Sequence, residues 1–386
     1  MRNSVKLLAC VLAFSGMMTG CNKTQTIRLQ LTPSKAGMDL TANAKALKPV
    51  LEKYAPGYTF TISTGTSFAS DGLALAAGSI DASFITASVF AQSEISNAGK
   101  VDMLLRASRN GFKVIDETPD SKGNKTSAEA RAAQLVKMND LSYGYHGQAA
   151  GVASYYYAEC IMKRDNLTAF DTDKDGKVEL YELAGKKVGM MGTSSPAGYT
   201  YPLYAFYNEK GKDSSWTNGM TKVANNADAT KGEFNMVTMS SYSAGFDQLM
   251  NGTIDAMWGY MDVRNDAYGK WDNWKGKDEA FTGTYTVALT QGILNDGVAV
   301  RSGLSTGART AIATAFKKMA ATGSVNDDGT KKENDTDTVY DIDGDGQASP
   351  AYIVFSLYSH TGYVDAANSD YDDEVAFQKW AVTNLK

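Results

Sequence analysis

Two short segments far apart in the chain are built alike: Ala76-Ala77-Gly78-Ser79-Ile80-Asp81-Ala82 and Leu249-Met250-Asn251-Gly252-Thr253-Ile254-Asp255-Ala256. Each reads as a helix end, a glycine stop and a strand that opens on Ile-Asp-Ala. Glycine serves at such a stop because it takes the left-handed backbone of a helix C-terminus without steric cost. The repeat restricts the chain to folds with two related α/β lobes. The surrounding patterns agree. Ile27–Leu31, Tyr58–Ser63, Ile80–Ile85 and Val101–Leu105 read as strands. The stretch Thr41–Tyr54 is predicted helical, with Leu40, Ala44, Leu47 and Leu51 on one face, and Phe68–Ala77 is a second helix stopped by Gly78. Strands alternating with helices predict a mostly parallel sheet in each lobe. Ligands of such folds bind at the carboxyl ends of the strands.

The chain start is expected to direct the protein out of the cytoplasm. Arg2 and Lys6 precede an apolar run from Leu7 to Met18, then Thr19, Gly20 and Cys21. A charged start, a short apolar core and small residues form a secretory signal, and the core is too short to span a bilayer. Met18-Thr19-Gly20-Cys21 resembles a lipobox, with Met18 where leucine is usual, so Cys21 is expected to carry lipid. The expected division is a signal at 1–20 and a tether at 21–26. Removing the signal takes the net charge from −5 to −7. Cys10 leaves with it, so Cys160 is the one remaining thiol not assigned to lipid, and no internal disulfide can form. Without a basic run the chain has no footprint for nucleic acid.

Residues Gly185 to Pro202 carry the strongest binding signal. A short apolar run, Val188 to Met191, is followed by Gly192, Thr193, Ser194 and Ser195 and by a segment able to start a helix. Unpaired N–H groups at a helix start, small residues and hydroxyls make an anion site suited to phosphate or phosphonate. A serine-capped helix without a ligand would give the same local pattern.

A second motif concerns metal. Residues Asp171 to Glu182 satisfy the EF-hand loop pattern, with carboxylates at positions one, three and five, glycine at six and glutamate at twelve. Calcium would be held by Asp171, Asp173, Asp175, the Lys177 carbonyl, Glu179 and Glu182. A DxDGDG run with Asp341, Asp343 and Asp345 repeats the first half of the pattern. Its twelfth position is Tyr352, which cannot supply a bidentate carboxylate, so Asp341, Asp343 and Asp345 are expected to form a weaker second calcium site, with Asp335 and Asp337 close by as substitute ligands. Catalysis has little support: the only histidines are His146 and His360, and no hydrolase elbow, zinc spacing or phosphate-binding Walker loop is present. Cys160 lies in an apolar strand and reads as a buried, inert thiol.

Taken in order, Pro33-Ser34, Gly78-Ser79-Ile80-Asp81, Gly185-Lys186-Lys187-Val188 leading to Ser194–Tyr199, Asn251–Asp255 and Gly292–Asp296 resemble type II periplasmic binding proteins, in the phosphate, phosphite and phosphonate branch of ABC importer receptors. The resemblance implies an α/β, two-lobed fold with a hinge and a central ligand cleft. Lobe one is expected at 27–153 and 291–386, with the second acidic loop (341–352) inserted in it, and lobe two at 154–290. It implies a monomeric receptor, not an enzyme, which hands a small phosphorus ligand to an ABC permease with its ATPase subunits. Ligand residues carried over by the resemblance are Phe68, Thr86, Ser88, Ser194, Ser195, Ala197, Gly198, Tyr199 and Tyr242. Asp262 and Asp296 fall where relatives hold an ammonium group. Alternatives are a thiamine-phosphate receptor of the same fold, a calcium-dependent surface adhesin or structural lipoprotein and, third, an enzyme on this fold using Cys160.

Overall fold

The computed structural model describes residues 24–32, 40–143, 152–193, 195–264, 279–321 and 350–385. Cys21, Ser194 and the acidic loop with Asp341, Asp343 and Asp345 lie outside the described residues. The strands are β1 (Gln25–Leu31), β2 (Tyr58–Thr64), β3 (Ala82–Ile85), β4 (Val101–Asn110), β5 (Val152–Ala153), β6 (Tyr155–Tyr156), β7 (Ala158–Lys163), β8 (Lys187–Met190), β9 (Thr221–Val223), β10 (Glu233–Thr238), β11 (Ala256–Tyr260), β12 (Thr284–Leu289), β13 (Ile293–Leu294), β14 (Gly297–Arg301) and β15 (Gly362–Asp365). The helices are α1 (Leu40–Tyr54), α2 (Phe68–Ala76), α3 (Ala87–Ser96), α4 (Lys113–Asp116), α5 (Ala128–Asn139), α6 (Leu167–Phe170), α7 (Tyr201–Tyr207), α8 (Tyr242–Met250), α9 (Glu279–Thr282), α10 (Thr306–Ala321), α11 (Pro350–Tyr358) and α12 (Asp372–Asn384).

Two sheets form the lobes. The first runs β15-β4-β14-β3-β1-β2, with β5 added beside β4; the second runs β12-β7-β11-β8-β10-β9. In the first, β2, β1 and β3 are parallel and β14 returns antiparallel beside β3. In the second, β10, β8 and β11 are parallel and β7 lies antiparallel beside β11. The repeated sequence segments sit at matching places. Gly78 and Gly252 both take the left-handed backbone, at φ 73° and 80°. Asp81 N–H donates to the Arg28 carbonyl at 2.8 Å, and Arg28 N–H donates back to the Asp81 carboxylate at 2.9 Å. Asp255 N–H and Lys187 N–H repeat this reciprocal clamp at 2.8 Å each. The clamp fixes β3 beside β1, and β11 beside β8.

Ile27, Leu29 and Leu31 alternate into the first core, where they meet Leu47 and Leu51 of α1, Phe84 of β3 and Phe316 of α10. The second lobe packs Cys160, Met162, Val188, Met190, Phe206 and Trp258 together.

Two boundaries differ from those expected. The chain passes to lobe two directly after β4, not at residue 153. Val114, Ile115 and Met138 of α4 and α5 pack with Tyr157, Ile161 and Phe246. Asn139 pairs with the Thr286 backbone in both directions at 2.8 Å. These helices have their apolar cover there, and before β14 the chain returns to the first sheet only for β5. The C-terminal helix α12 is shared between the lobes. It lies along α3, while Phe377 packs on Tyr201 and Tyr204 and Trp380 on Tyr204 and Tyr207. Asn295, wholly buried, stitches the crossing strands together: its side-chain amide donates to the carbonyls of Ala107 and Ala153.

Candidate functional site

The strand ends carry hydroxyls in both lobes. In lobe one β3 runs into Thr86, whose side chain caps α3 by accepting the Val89 N–H at 3.3 Å. Thr86 Oγ1 also lies 3.1 Å from Ser88 Oγ. In lobe two β8 runs into a tight turn, and Ser195 caps a single π-helical turn, Pro196–Thr200, by accepting the Gly198 N–H at 3.1 Å. Only glycine fits at 198, because a Cβ there would stand 2.4 Å from the Met191 side chain. Ser195 Oγ lies 2.8 Å from the hydroxyl of Tyr242, the first residue of α8. Each pair holds two hydroxyl protons. One is used within the pair, and the other is available to an incoming acceptor.

Aromatic rings flank these pairs. Tyr242 meets Tyr260 edge to face at 5.0 Å. Burial pushes the Tyr242 phenol up to about 12, against the opposing hydrogen bond to Ser195, so it stays protonated and able to donate. Phe68 opens α2 on the lobe-one side and tilts towards Tyr358 at 6.4 Å. The Arg109 guanidinium stands 5.9 Å over the ring of Tyr156, in the crossing strand β6.

The remaining expected residues point elsewhere. Ala197 and Tyr199 are buried in the lobe-two core, where the Lys222 ammonium stands 4.8 Å over the Tyr199 ring and bonds its hydroxyl. The two carboxylates expected to hold an ammonium are already engaged by cations of the chain itself. Asp262 is 3 % exposed and takes Arg264 Nη2 at 2.8 Å and Nε at 2.9 Å, and Glu159 approaches the same guanidinium at 3.5 Å. Burial raises Asp296, but Arg109 and His360 outweigh it and hold the carboxyl well below its ordinary range. Arg109 bonds Asp296 and also donates to Asn295 and to the Tyr358 carbonyl. A pair of carboxylates open to a ligand cation is therefore not what this geometry presents. Desolvated carboxylates recruited guanidinium partners, as buried charge requires. Arg109, partly exposed beside Tyr156, and the buried His360 are partners of Asp296 that sequence spacing did not reveal, because β4, β14 and the segment after α11 meet only in the folded sheet.

The acidic loop gathers its carboxylates into two groups. Asp171, Asp173 and Asp175 each bring a carboxylate oxygen within 4.8 Å of the others, and Asp173, Glu179 and Glu182 form a second such group. Gly176 takes φ 88°, the sharp turn the sixth position needs. Glu179 Oε2 is buried with no hydrogen-bond partner, and burial together with Asp175 and Glu182 raises its carboxyl to about 7. Glu182 caps the loop backbone through Thr172 and Glu179. Crowded carboxylates with an orphaned buried oxygen fit a hard divalent ion, and Lys177 pairs with Asp175 at 3.3 Å. Cys160 is fully buried, and burial pushes its thiol well up, so it is not a nucleophile.

The family model described as the periplasmic substrate-binding protein of a phosphonate ABC transporter matches residues 29–371. No curated protein is significantly similar to the chain in sequence. Among solved structures, the Mycoplasma hyorhinis protein Mh-p37, named as a candidate thiamine pyrophosphate transporter, is similar at TM-score 0.60 and 12% identity, over 91% of this chain and 97% of that one. XAC2383 from Xanthomonas citri, bound to ATP, gives TM-score 0.55 and 13% identity over 94% and 100%. PhnD1 from Prochlorococcus marinus, in complex with methylphosphonate, gives 0.51 and 9% over 93% and 98%. At these identities the structures speak for the shared fold. The family match covers most of the chain: it belongs to the phosphonate-binding family of ABC-transporter periplasmic receptors. Such receptors are transport proteins rather than enzymes, and they work outside the cytoplasm.

Proposed function

We propose that this receptor captures a small phosphorus oxyanion, a phosphonate, phosphite or phosphate ester, between its lobes and delivers it to an ABC permease. The observation that carries the reading is the pair of hydroxyl pairs at strand ends, Thr86–Ser88 and Ser195–Tyr242, each with one proton left to donate. A tetrahedral oxyanion offers acceptors in several directions and can take one donor from each lobe, which rewards closure of the hinge around Asn295. The bias against an ammonium follows from the occupied carboxylates Asp262 and Asp296. The Tyr242–Tyr260 ring pair beside Ser195 favours, as a second reading, an aromatic phosphate ester of the thiamine-phosphate type. Calorimetric titration with methylphosphonate, phosphite, inorganic phosphate and thiamine phosphate separates these. Binding of none of them sinks the proposal.

Two further assignments accompany it. The 171–182 loop holds calcium through Asp171, Asp173, Asp175, the Lys177 carbonyl, Glu179 and Glu182, and it stands before β8, the strand that leads to Ser195. Lipid on Cys21 anchors the receptor to the membrane. Among the described residues no helix is long and apolar enough to cross one.

A further inference from the structure

Behind the lobe-one half of the cleft lies a carboxylate to which no ligand role has been given. Asp71 of α2 is wholly buried. Its oxygens take the Gln30 amide at 2.6 Å, the Thr32 hydroxyl at 2.5 Å and the Ser83 hydroxyl at 2.6 Å. Among the described residues no cation contacts it. Gly65, just after β2, lies so close that a Cβ there would stand 2.2 Å from Asp71 Oδ1. One side chain thus joins α2 to the carboxyl end of β1 and to β3, and the end of β2 rests on it.

A buried carboxylate with only neutral donors is costly unless every lone pair facing the protein is used, so its type needs a reason. Thr32 is also held at its backbone N–H and carbonyl by the Tyr358 hydroxyl, at 3.1 and 2.9 Å. Ser83 stands three residues before Thr86, and Asp71 three residues after Phe68. Two of these routes, through Ser83 and along α2, lead from Asp71 to Thr86 and Phe68 of the lobe-one ligand wall, and the third braces Thr32 against Tyr358, on which the Phe68 ring leans. A carboxylate can collect three donors at once, whereas an asparagine would aim its own N–H groups at some of them.

We infer that Asp71 is a positioning residue for the ligand site, holding the strand ends and the start of α2 in the geometry that presents Thr86, Ser88 and Phe68. This rests on the oxyanion reading of the cleft. It also makes an unusual prediction of sign. If Asp71 acted only through its charge, removing a buried negative group near an anion site would tighten binding. As a positioning residue, its loss must weaken binding.

The test measures affinity and melting temperature together, on the whole protein, with methylphosphonate, phosphite and inorganic phosphate as probes. Asp71→Asn is expected to weaken each probe that the wild type binds by about tenfold, the scale of one lost charge-assisted hydrogen bond. Thr32→Val, which keeps the shape and removes the donor, should reproduce the loss, and Thr32→Ser should restore affinity. The threonine pair carries the test if Asp71→Asn does not fold. Unchanged or tighter binding by Asp71→Asn overturns the inference. So does Thr32→Val with a lowered melting temperature and wild-type affinity, since that marks a role in stability alone. A folded wild type that binds no probe overturns the oxyanion reading and this inference with it.

Discussion

In lobe one the clamp aspartate Asp81, besides holding the Arg28 backbone, takes guanidinium groups from Arg28 and Arg301 at 2.9 and 2.6 Å. In lobe two Asp255 makes the same backbone clamp on Lys187 with no guanidinium added among its described contacts. The hydroxyl pairs differ in a parallel way. Thr86 and Ser88 are two residues apart on one helix start, whereas Ser195 and Tyr242 come from two elements and meet across β8 and β10. A shared backbone motif thus sets the topology of both lobes, and the side chains around it decide how much stability rests on it and how its strand ends meet a ligand.

The comparison can be broken most sharply at the clamps. Asp81→Ala should cost about 3 kcal/mol, the low end for breaking a buried ion pair because both arginines are partly exposed, while Asp255→Ala should cost about 1 kcal/mol. Equal losses in chemical denaturation would show that the arginines add nothing. Calcium at the 171–182 loop should stabilise lobe two. At a hundredfold excess over its Kd it should stabilise by about 2.7 kcal/mol, and Glu182→Gln should abolish that gain. A melting temperature indifferent to calcium and to chelator contradicts the assignment.

At the strand ends, Tyr242→Phe and Ser88→Ala each break a hydroxyl pair without touching either cap, so that the remaining hydroxyl, Ser195 or Thr86, loses the partner that orients its proton towards a ligand. Each should weaken a bound phosphorus oxyanion by about 1.5 kcal/mol, and the double variant by about the sum, since the two act from separate lobes. A loss confined to one lobe would make the cleft one-sided. The smallest effect concerns acid. Burial would raise the Asp81 carboxyl, but the hydrogen bonds from Arg28 and Arg301 outweigh it and hold it down at about 2. Its stabilisation is therefore complete above about pH 4, the ordinary aspartate range, and is lost as pH falls towards 2. Asp81→Asn should flatten the fall in stability over that window, and an unaltered acid profile would contradict the assignment.

Much of this was legible before folding because its causes are local. The glycine stops, the Ile-Asp-Ala strand starts, the Ser195 cap and the acidic loop each depend on neighbours within a dozen residues. Sequence shows the carboxylates Asp262 and Asp296 but not whether their charge is already balanced: Arg109 reaches Asp296 only through tertiary packing, and Arg264, two residues on, folds back on Asp262 in a buried setting. The shared helix α12 and the early crossing of α4 and α5 were hidden for the same reason. Apolar faces announce that they need cover but do not say which lobe provides it.

The central claim is that both lobes supply hydroxyl donors to one phosphorus oxyanion. Its most direct test is calorimetric titration of methylphosphonate and phosphite into the wild type, Tyr242→Phe, Ser88→Ala and the double variant. The account predicts one site per chain, weakened by each substitution and further by both. A wild type that takes up neither compound, nor phosphate or its esters, or one whose affinity survives the double substitution, would contradict it.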